Sequence, residues 1–442
     1  MLSTVAYLSF AAKPDTGDTA WVLASAALVL LMTPGLAFFY GGMVRGKNVL
    51  NMLMMNFITM GLVGVLWVLV GYTLAFGDGN AFIGDLKHWK LDHTVGLWPG
   101  YTIPVVAFVM FQAMFAIITP ALFTGAIADR IKFAPFVAIV VLWSLLVYSP
   151  VAHWVWASNG WLYKLGAEDF AGGTVVHANA GAAALALILV LGKRKGWPKE
   201  SMRPHNLPFV LLGTGLLWFG WFGFNAGSAL GANGLAATAF MTTSTATSAA
   251  MLGWVLVEKV RDGHPTTLGA ASGAVAGLVA ITPACGFVSP LGSIVLGLVA
   301  GSVCALATGL KFRFGYDDAL DVVGVHLVGG VTGALLIGFI GSKRVNPAYK
   351  DGLFYGGGLD LLGIQAEAVL ASVAYSFVMT LIIAYLVKIV FGGLRVSEDI
   401  EVEGLDINLH AETAYESLTG GSSLRAAAPA PKSVKTDAEV SA

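Results

Sequence analysis

Charged residues and cysteines are scarce in this sequence. Only 12% of its 442 residues are charged, against 57% that are hydrophobic, and it has two cysteines, Cys285 and Cys304. Two cysteines in or near apolar stretches support neither a disulfide framework nor a thiolate metal site. The mean hydropathy of +0.77 lies outside the range usual for a soluble domain. We therefore expect a polytopic membrane protein.

Several functional motifs are also missing. The formal net charge is -1 and no run of basic residues could follow a phosphate backbone, so no nucleic-acid partner is predicted. There is no Walker-type glycine loop and no pairing of a nucleophile with a base. An ATP-driven pump and a membrane enzyme are therefore not indicated, and we expect neither a cofactor nor a metal ion.

The sequence is instead built from apolar stretches of about 20 residues, the length that crosses about 30 Å of hydrocarbon. They cover residues 20–42, 49–76, 101–128, 134–156, 173–192, 206–227, 234–257, 267–283, 287–310, 322–341 and 362–391. The predicted fold is all-α, with about eleven transmembrane helices. Glycines inside the stretches, as in "GALLIGFIG", predict close packing between helices.

An odd number of helices places the two termini on opposite sides of the membrane. If the first loop is cytoplasmic, 18 of the 25 Lys and Arg residues lie on the cytoplasmic side, counting the C-terminal region. The positive-inside rule then predicts an outside N-terminus and a cytoplasmic C-terminus.

Two of the stretches share a spacing. Asp169 precedes His177 by eight residues in the fifth stretch, and Asp318 precedes His326 by eight residues in the tenth. This suggests a five-plus-five inverted repeat followed by one extra C-terminal helix. Transporters place their substrate pathway at the interface of such repeats.

Of the eight histidines, only His177 and His326 lie well inside apolar stretches. An ionisable side chain there is costly and normally faces a bundle interior or a cavity. One such histidine would be explained equally well by packing, but two at matching positions favour function. Two neutral imidazoles can share a hydrogen bond and still offer an acceptor nitrogen. Asp169, which begins its helix, is interpreted first as a helix cap.

Aromatic residues offer a second candidate site. Phe111 and Phe115 are four residues apart and share one helix face, while Trp156 and Ser228 lie at helix ends. Taken singly, these residues are explained by packing or by anchoring at the membrane interface. Together, rings and a hydroxyl can bind a small cation through cation–π attraction.

The composition changes near residue 395, where an acidic and less apolar segment begins. We predict a transmembrane domain over residues 1–395 and a cytoplasmic tail over residues 396–442. The Gly, Ser, Pro and Ala content of residues 420–442 predicts disorder at the end of that tail.

Several motifs in order along the chain resemble the ammonium transporter family, the Amt branch of the Amt/Mep/Rh superfamily. They include "FFYGGMVRGKNVLN", "FQAMFAIITPALFTGAIADRIKF", "DFAGGTVVHANAG", "DDALDVVGVH" and "LRVSEDIEVEGLD". The resemblance covers roughly residues 15–418. It implies a homotrimer in the cell membrane with one pore per subunit, ammonium as substrate and methylammonium as its analogue. The acidic tail resembles the segment that docks a PII-type signalling protein.

The resemblance also implies roles for residues at the matching positions. The expected ammonium recruitment site is Phe111, Trp156 and Ser228, and the expected gate of stacked rings is Phe115 and Phe224. The pore is expected to be lined by His177, His326 and Trp221. Recruitment and deprotonation are expected to be supported by Asp169, with Thr282, Gln112 and Tyr40 near the path.

The expected mechanism follows from the cost of charge in a membrane. A bare cation at the bilayer centre costs at least about 2.5 to 3.5 kcal/mol, so ammonium would be deprotonated and ammonia would cross, while K⁺ has no proton to lose. Whether the proton also crosses is left open. Two alternatives remain: an ammonium sensor acting through its tail, and a Rhesus-type channel for a neutral gas.

Overall fold

The computed structural model describes residues 13–415 of the chain. Within that range the fold consists of helices and connecting turns, and the extended backbone is limited to two isolated bridges, Leu97 with Pro104 and Ile131 with Arg395. The all-α class predicted from the sequence is confirmed.

Ten helices of the described range are long and apolar enough to cross a membrane, and an eleventh apolar helix has 15 residues. In chain order they are α1 (Thr16–Met43), α2 (Gly46–Phe76), α3 (Val105–Gly125), α4 (Phe133–Leu165), α5 (Gly173–Leu191), α6 (Leu207–Gly227), α7 (Gly234–Asp262), α8 (Thr267–Ile281), α9 (Pro290–Phe314), α10 (Val323–Ile340) and α11 (Asp360–Val390). Each lies over one predicted stretch. The shortest, α8, is about 22 Å long and continues into a buried turn over residues 282–286.

Some of these helices contain local irregularities. The last turns of α4 and α9 are short separate helices, Trp161–Leu165 and Leu310–Phe314. Turns of π-helix occur at Trp67–Gly71, Ser144–Tyr148, Gly173–Ala178 and Val323–Leu327. Such turns are frequently found at functional sites.

Polar residues just before the apolar stretches cap five of the helices. Each accepts the backbone N–H three residues further on, at 2.8 to 3.1 Å; they are Asp15 of α1, Asn206 of α6, Asn233 of α7, Thr266 of α8 and Ser289 of α9. The first turn of a helix has N–H groups without an intrahelical partner, and lipid cannot supply one. The caps therefore define where these helices begin.

Glycine allows several helices to approach closely. Gly297 and Gly301 of α9 lie directly against the backbone of Ala246 and Ala250 in α7, and Gly213 of α6 lies against the backbone of α1. A methyl group at any of these glycines would overlap the neighbouring main chain. In lipid there is no hydrophobic driving force between helices, and the close packing that small residues allow holds the helices together instead.

The helices α5 and α10 cross in the middle of the bundle. Gly181 lies against Leu327, whereas Gly330 lies against His177 and Ala178. Residue numbers on α10 fall as those on α5 rise, so the two helices are antiparallel and begin at opposite ends of the bundle. This is the arrangement expected of inverted halves.

Residues 394–415 pack across one end of the bundle, which we call the tail face; the opposite end, where α5 begins, is the vestibule face. The tail contains a short helix, α12 (Glu398–Glu403). Further along, Asp406 accepts the backbone N–H groups of Leu50 and Asn51 at 3.0 and 2.8 Å. The tail is therefore bound to the start of α2.

The predicted boundary at residue 395 falls in the connection between α11 and α12. The segment predicted to be disordered, residues 420–442, lies outside the described residues.

Candidate conduction pathway

A row of aromatic rings runs inward from the vestibule face. Phe111 and Phe115 lie one turn apart on α3, with ring centroids separated by 4.9 Å. Phe115 stacks on Phe224 of α6 at 4.2 Å, with planes 30° apart, and meets the edge of Trp156 at 5.8 Å. The structure thus brings together the four aromatic residues expected at the recruitment site and gate.

Trp156 and Ser228 lie at the more exposed end of this row. The indole of Trp156 donates to the backbone oxygen of Asp169 at 2.9 Å, and Ser228 donates to the backbone oxygen of Phe224 at 2.8 Å. Gly227 packs against the ring of Phe111, which places Ser228 beside the same row. Both residues are partly exposed, and the serine oxygen retains lone pairs that can accept from a solute.

Asp169 caps α5, as its position in the sequence predicted. Its two carboxylate oxygens accept the backbone N–H groups of residues 172–175, two each, at 2.7 to 3.0 Å. Burial raises the pKa of Asp169, and the four amide bonds oppose that rise. Because all four acceptor positions are used, Asp169 offers the site negative charge rather than a free oxygen.

The two intramembrane histidines lie directly below the rings. His177 and His326 face each other with their Nδ1 atoms 3.2 Å apart, and their ring planes are 18° apart. His177 also stacks on Trp221 at 5.2 Å and lies 6.0 Å from the ring of Phe224. Each histidine lies in a π-helical turn at the start of its helix.

The hydrogen bonds around the pair indicate one arrangement of protons. The Tyr40 hydroxyl donates to the backbone oxygen of Leu122 at 3.0 Å and lies 3.4 Å from Nε2 of His326. A hydroxyl has one proton, so this Nε2 carries a hydrogen and Nδ1 of His326 accepts from His177. The lone pair of His177 Nε2 is then free, and this buried atom has no partner among the described residues.

The remaining expected residues lie beside this path. Trp221 donates from its indole to the hydroxyl of Thr282 at 2.8 Å, and both side chains are buried. Gln112 follows Phe111 on α3; it is buried, and its Oε1 has no hydrogen-bond partner in the described part of the chain. Thr282 therefore orients a ring that stacks on His177.

Asp318 provides a second cap at the other end of the pair. It accepts the N–H groups of Val322 and Val323 at the start of α10, at 3.1 and 2.7 Å. Burial and the charge of Asp321 raise the pKa of Asp318 to about 6, and Lys311 opposes the rise. Asp321 itself pairs with Lys311 at 2.6 Å rather than capping the helix.

A buried ionic network at the tail face was not predicted from the sequence. Arg194 donates to both carboxylate oxygens of Asp317 at 2.8 and 2.9 Å, and Arg130 donates to the backbone oxygen of Asp317 at 2.7 Å. Burial would raise the pKa of Asp317, but the bonds and charge of Arg194 outweigh it and lower that pKa. Its sequence signal is the charge flanking apolar stretches in "ADRIKF", "GKRKG" and "GYDDALD".

These features define a helical membrane protein with a narrow path whose rings lead to two neutral, hydrogen-bonding imidazoles. Within residues 13–415 no cluster of His, Cys, Asp and Glu could hold a metal ion. A path of this kind fits a small polar solute.

Comparison with known proteins gives a more specific result. The Ammonium Transporter Family matches residues 20–415. An ammonium transporter of Mycobacterium tuberculosis is 54% identical over 435 residues, which cover 91% of each chain. One of Bacillus subtilis is 50% identical over 404 residues, covering 90% of this chain and 98% of the relative. The crystal structure of Candida albicans Mep2 matches with a TM-score of 0.83 at 35% identity, covering 88% of each chain.

The chain therefore belongs to the ammonium transporter family. It is a multi-pass membrane transport protein and not an enzyme.

Proposed function

We propose that this protein carries ammonium nitrogen across the cell membrane, with the vestibule face and N-terminus outside and the tail face in the cytoplasm. One observation carries the proposal: the stacked rings of Phe115 and Phe224 lie beside a histidine, His177, whose buried Nε2 has no hydrogen-bond partner among the described residues. An apolar barrier followed by an acceptor suits ammonia, which is neutral and donates hydrogen bonds.

Recruitment takes place at the outer end of the row. Trp156 and Phe111 present ring faces to a cation, each contact contributing about 0.5 to 2 kcal/mol. Ser228 accepts a hydrogen bond from ammonium, and the nearby charge of Asp169 favours a cation. The absence of a free carboxylate oxygen keeps this site weak enough to release its solute inward.

Before the gate, ammonium passes its proton to water at the vestibule face, which leaves ammonia. Phe115 and Phe224 stack at 4.2 Å, so their facing surfaces are closed to a cation, and neither ring has a hydrogen-bond acceptor. Burial of a bare charge costs at least about 2.5 to 3.5 kcal/mol. Ammonia avoids most of that cost, so it passes the rings and donates to Nε2 of His177. K⁺ is excluded because it cannot shed charge.

Below the gate, His177 and His326 act as hydrogen-bonding lining that leads ammonia toward the tail face. The chain of bonds from His177 through His326 to Tyr40 is also continuous enough to move a proton by exchange of its hydrogens. Measurement of charge movement distinguishes lining alone from lining with proton transfer.

We further propose a homotrimer and a PII-type partner at the tail face, in agreement with the family. The tail over residues 396–442 would act as the partner's docking element. Its support is that residues 394–415 are already ordered against the loops of this face, as in the contact of Asp406 with the start of α2.

The test is transport by purified protein in proteoliposomes. An ammonium pulse at fixed pH, with K⁺ as the control, should produce either a selective current or faster internal alkalinisation than in empty liposomes. A current means that net charge crosses; alkalinisation without current means that ammonia crosses alone. His177→Ala should reduce selectivity against K⁺, and undiminished selectivity would reject its role as lining.

The same assay separates the alternatives. Competition by methylammonium is expected for an ammonium pathway and not for a channel specific to another neutral gas. A protein that binds PII yet gives neither current nor alkalinisation would be a sensor.

A further inference from the structure

Glu168 is a buried carboxyl group at the vestibule face that the proposed mechanism does not use. It directly precedes Asp169 and is 2% exposed. Its Oε1 accepts the backbone N–H of Lys350 at 3.0 Å, whereas Oε2 is buried without a hydrogen-bond partner among the described residues. Buried polar atoms are normally hydrogen-bonded because desolvation is costly. A half-satisfied carboxyl group at this position therefore requires an explanation.

The side chain of Gln365 in α11 binds both the N–H and the carbonyl group of Glu168. Its Oε1 accepts the N–H of Glu168, and its Nε2 donates to the carbonyl of Glu168, both at 2.7 Å. The same Nε2 donates to the backbone oxygen of Ala334 in α10 at 3.1 Å. Since the main chain is bound to α11, and through Gln365 to α10, a change at the Glu168 carboxyl group must be taken up by its other partner, the loop that contains Lys350.

That loop, residues 342–352, also contacts the segment that follows Asp169. The ring of Tyr349 lies 4.7 Å from Phe287, and Phe287 meets the edge of Phe170 at 5.6 Å. Phe170 is the residue after Asp169. Release of the loop at Lys350 would therefore disturb the packing beneath the helix cap and the recruitment site.

The surroundings of Glu168 favour its neutral form near neutral pH. Burial raises the pKa of Glu168 to about 7; the N–H and charge of Lys350 lower it, and the charge of Asp351 raises it. The third titratable group facing Glu168 is Tyr349, while Gln365 brings no charge. Folding raises this pKa from its ordinary value of 4.5 to about 7. The contribution of Glu168 to the stability of the fold is therefore fully present below pH 4.5 and is lost as the pH rises through about 7.

We propose that Glu168 is a positioning residue that takes a proton from water at the vestibule face and so holds loop 342–352 and the Asp169 cap in the arrangement that recruits ammonium. This rests on the transport function proposed above. When Glu168 gives its proton back to water, the cost of burying a carboxylate whose Oε2 has no donor among the described residues outweighs its bond to Lys350. The carboxylate then turns toward solvent and releases the N–H of Lys350. Recruitment then weakens in alkaline surroundings, where more of the substrate is already ammonia and crosses lipid unaided.

The proposal is tested by methylammonium uptake into proteoliposomes with the external pH varied and the internal pH held constant. Between about pH 6 and about pH 8, the protonated fraction of Glu168 falls from about 0.9 to about 0.1. If only that fraction recruits substrate, KM rises by up to about tenfold. Glu168→Gln is always neutral and should keep a low KM at both pH values, with kcat unchanged.

The matched control is Asp78→Asn. Asp78 is an exposed carboxylate in the loop that follows α2, on the same face, paired with Lys87, and its removal should leave the pH dependence of KM intact. The same rise of KM with pH in Glu168→Gln and in the unmodified protein would overturn the proposal.

A second measurement needs no variant. Hydrogen exchange at the Lys350 amide of the unmodified protein, corrected for intrinsic pH dependence, should accelerate as the pH passes about 7. Unchanged protection would also overturn the proposal. If the unmodified protein takes up no methylammonium, the transport function fails, and the exchange result still decides the behaviour of Glu168.

Discussion

Asp169 and Asp318 stand at equivalent places in the two halves of the bundle, yet their surroundings differ. Asp169 accepts four backbone amides, and its own carbonyl binds the indole of Trp156. Asp318 accepts two amides and shares its pocket with Asp321 and Lys311. The cap at Asp169 therefore adjoins a row of aromatic rings, whereas the cap at Asp318 is surrounded by charged side chains.

The ends also differ in what covers them. At the tail face, Glu401 of α12 accepts the backbone N–H of Lys195 at 2.7 Å and pairs with Arg395 at 2.5 Å. Lys195 lies in the loop just after α5, so the tail is tied to the helix that carries His177. Repeated sequence spacing builds a repeated local motif, and the neighbours of that motif give its two copies different roles.

The sharpest test of this difference compares Asp169→Asn with Asp318→Asn. An amide at residue 169 would face two backbone N–H groups with its own NH₂, and each lost bond costs about 1 to 3 kcal/mol. We expect methylammonium uptake to fall at least about 100-fold, which corresponds to about 2.7 kcal/mol. For Asp318→Asn we expect a loss within about tenfold, because Asp318 binds fewer amides and is partly neutral already. Equal losses in the initial rate would show that the two ends are equivalent.

A large effect on stability is expected at the tail face from Asp317→Asn. It removes the closer of two carboxylate partners of the buried Arg194 guanidinium, leaving only the longer pair with Asp129 at 3.5 Å, and breaking a buried ion pair costs about 3 to 5 kcal/mol. The thermal unfolding midpoint in detergent should fall clearly. Asp78→Asn, which breaks an exposed pair with Lys87, should change the unfolding free energy by only about 0 to 1 kcal/mol. Similar midpoints for the two variants would contradict the buried network.

The two faces should respond to pH in opposite directions. Asp317 has a lowered pKa, so its stabilising contribution is present above its ordinary value of 3.8 and is lost as the pH falls through the lowered value. Glu168, with its pKa raised to about 7, loses its contribution as the pH rises. The backbone oxygen of Arg130, whose side chain donates to Asp317, accepts the backbone N–H of Val396 at 3.0 Å, so the network is connected to the tail. Hydrogen exchange should therefore speed up first at residues 394–415 in acid and first at residues 342–352 in alkali. The same order at both extremes would refute this expectation.

The smallest expected effect is that of Ser228→Ala. Loss of one partly exposed acceptor for a cation is worth about 1 kcal/mol, or about fivefold in KM. Ser248→Ala on α7 is the matched control, since its hydroxyl also bonds to the carbonyl four residues before it and it is exposed. KM for methylammonium should change only in the first variant. An unchanged KM in Ser228→Ala would remove Ser228 from the recruitment site.

The features that depend on a single segment of the chain were predicted correctly from the sequence. A bilayer requires apolar stretches of a given length, so each helix was found close to its observed bounds. The cap at Asp169 was predictable because it binds amides three to six residues away. The inward position of His177 followed from the cost of exposing an ionisable ring to lipid.

Contacts between distant residues could not be predicted in this way. Gln365 lies 197 residues after Glu168, and nothing in its own neighbourhood distinguishes it from any polar residue of an apolar helix. The partnership of Arg194 with Asp317 spans 123 residues. The tail was expected to be acidic and cytoplasmic, but its bonds to the start of α2 depend on how the loops of one face converge.

The sequence by itself determined the helices, their order and the chemical types placed within the membrane. Hydrocarbon thickness and the cost of unsatisfied polar groups act on each segment separately. Only the tertiary structure decided the 4.2 Å between the rings of Phe115 and Phe224 and the 3.2 Å between the Nδ1 atoms of His177 and His326. It also decided that one oxygen of Glu168 has no partner among residues 13–415. Those distances depend on how glycine-lined helices pack against each other, because no property of an isolated segment sets the separation between two helices.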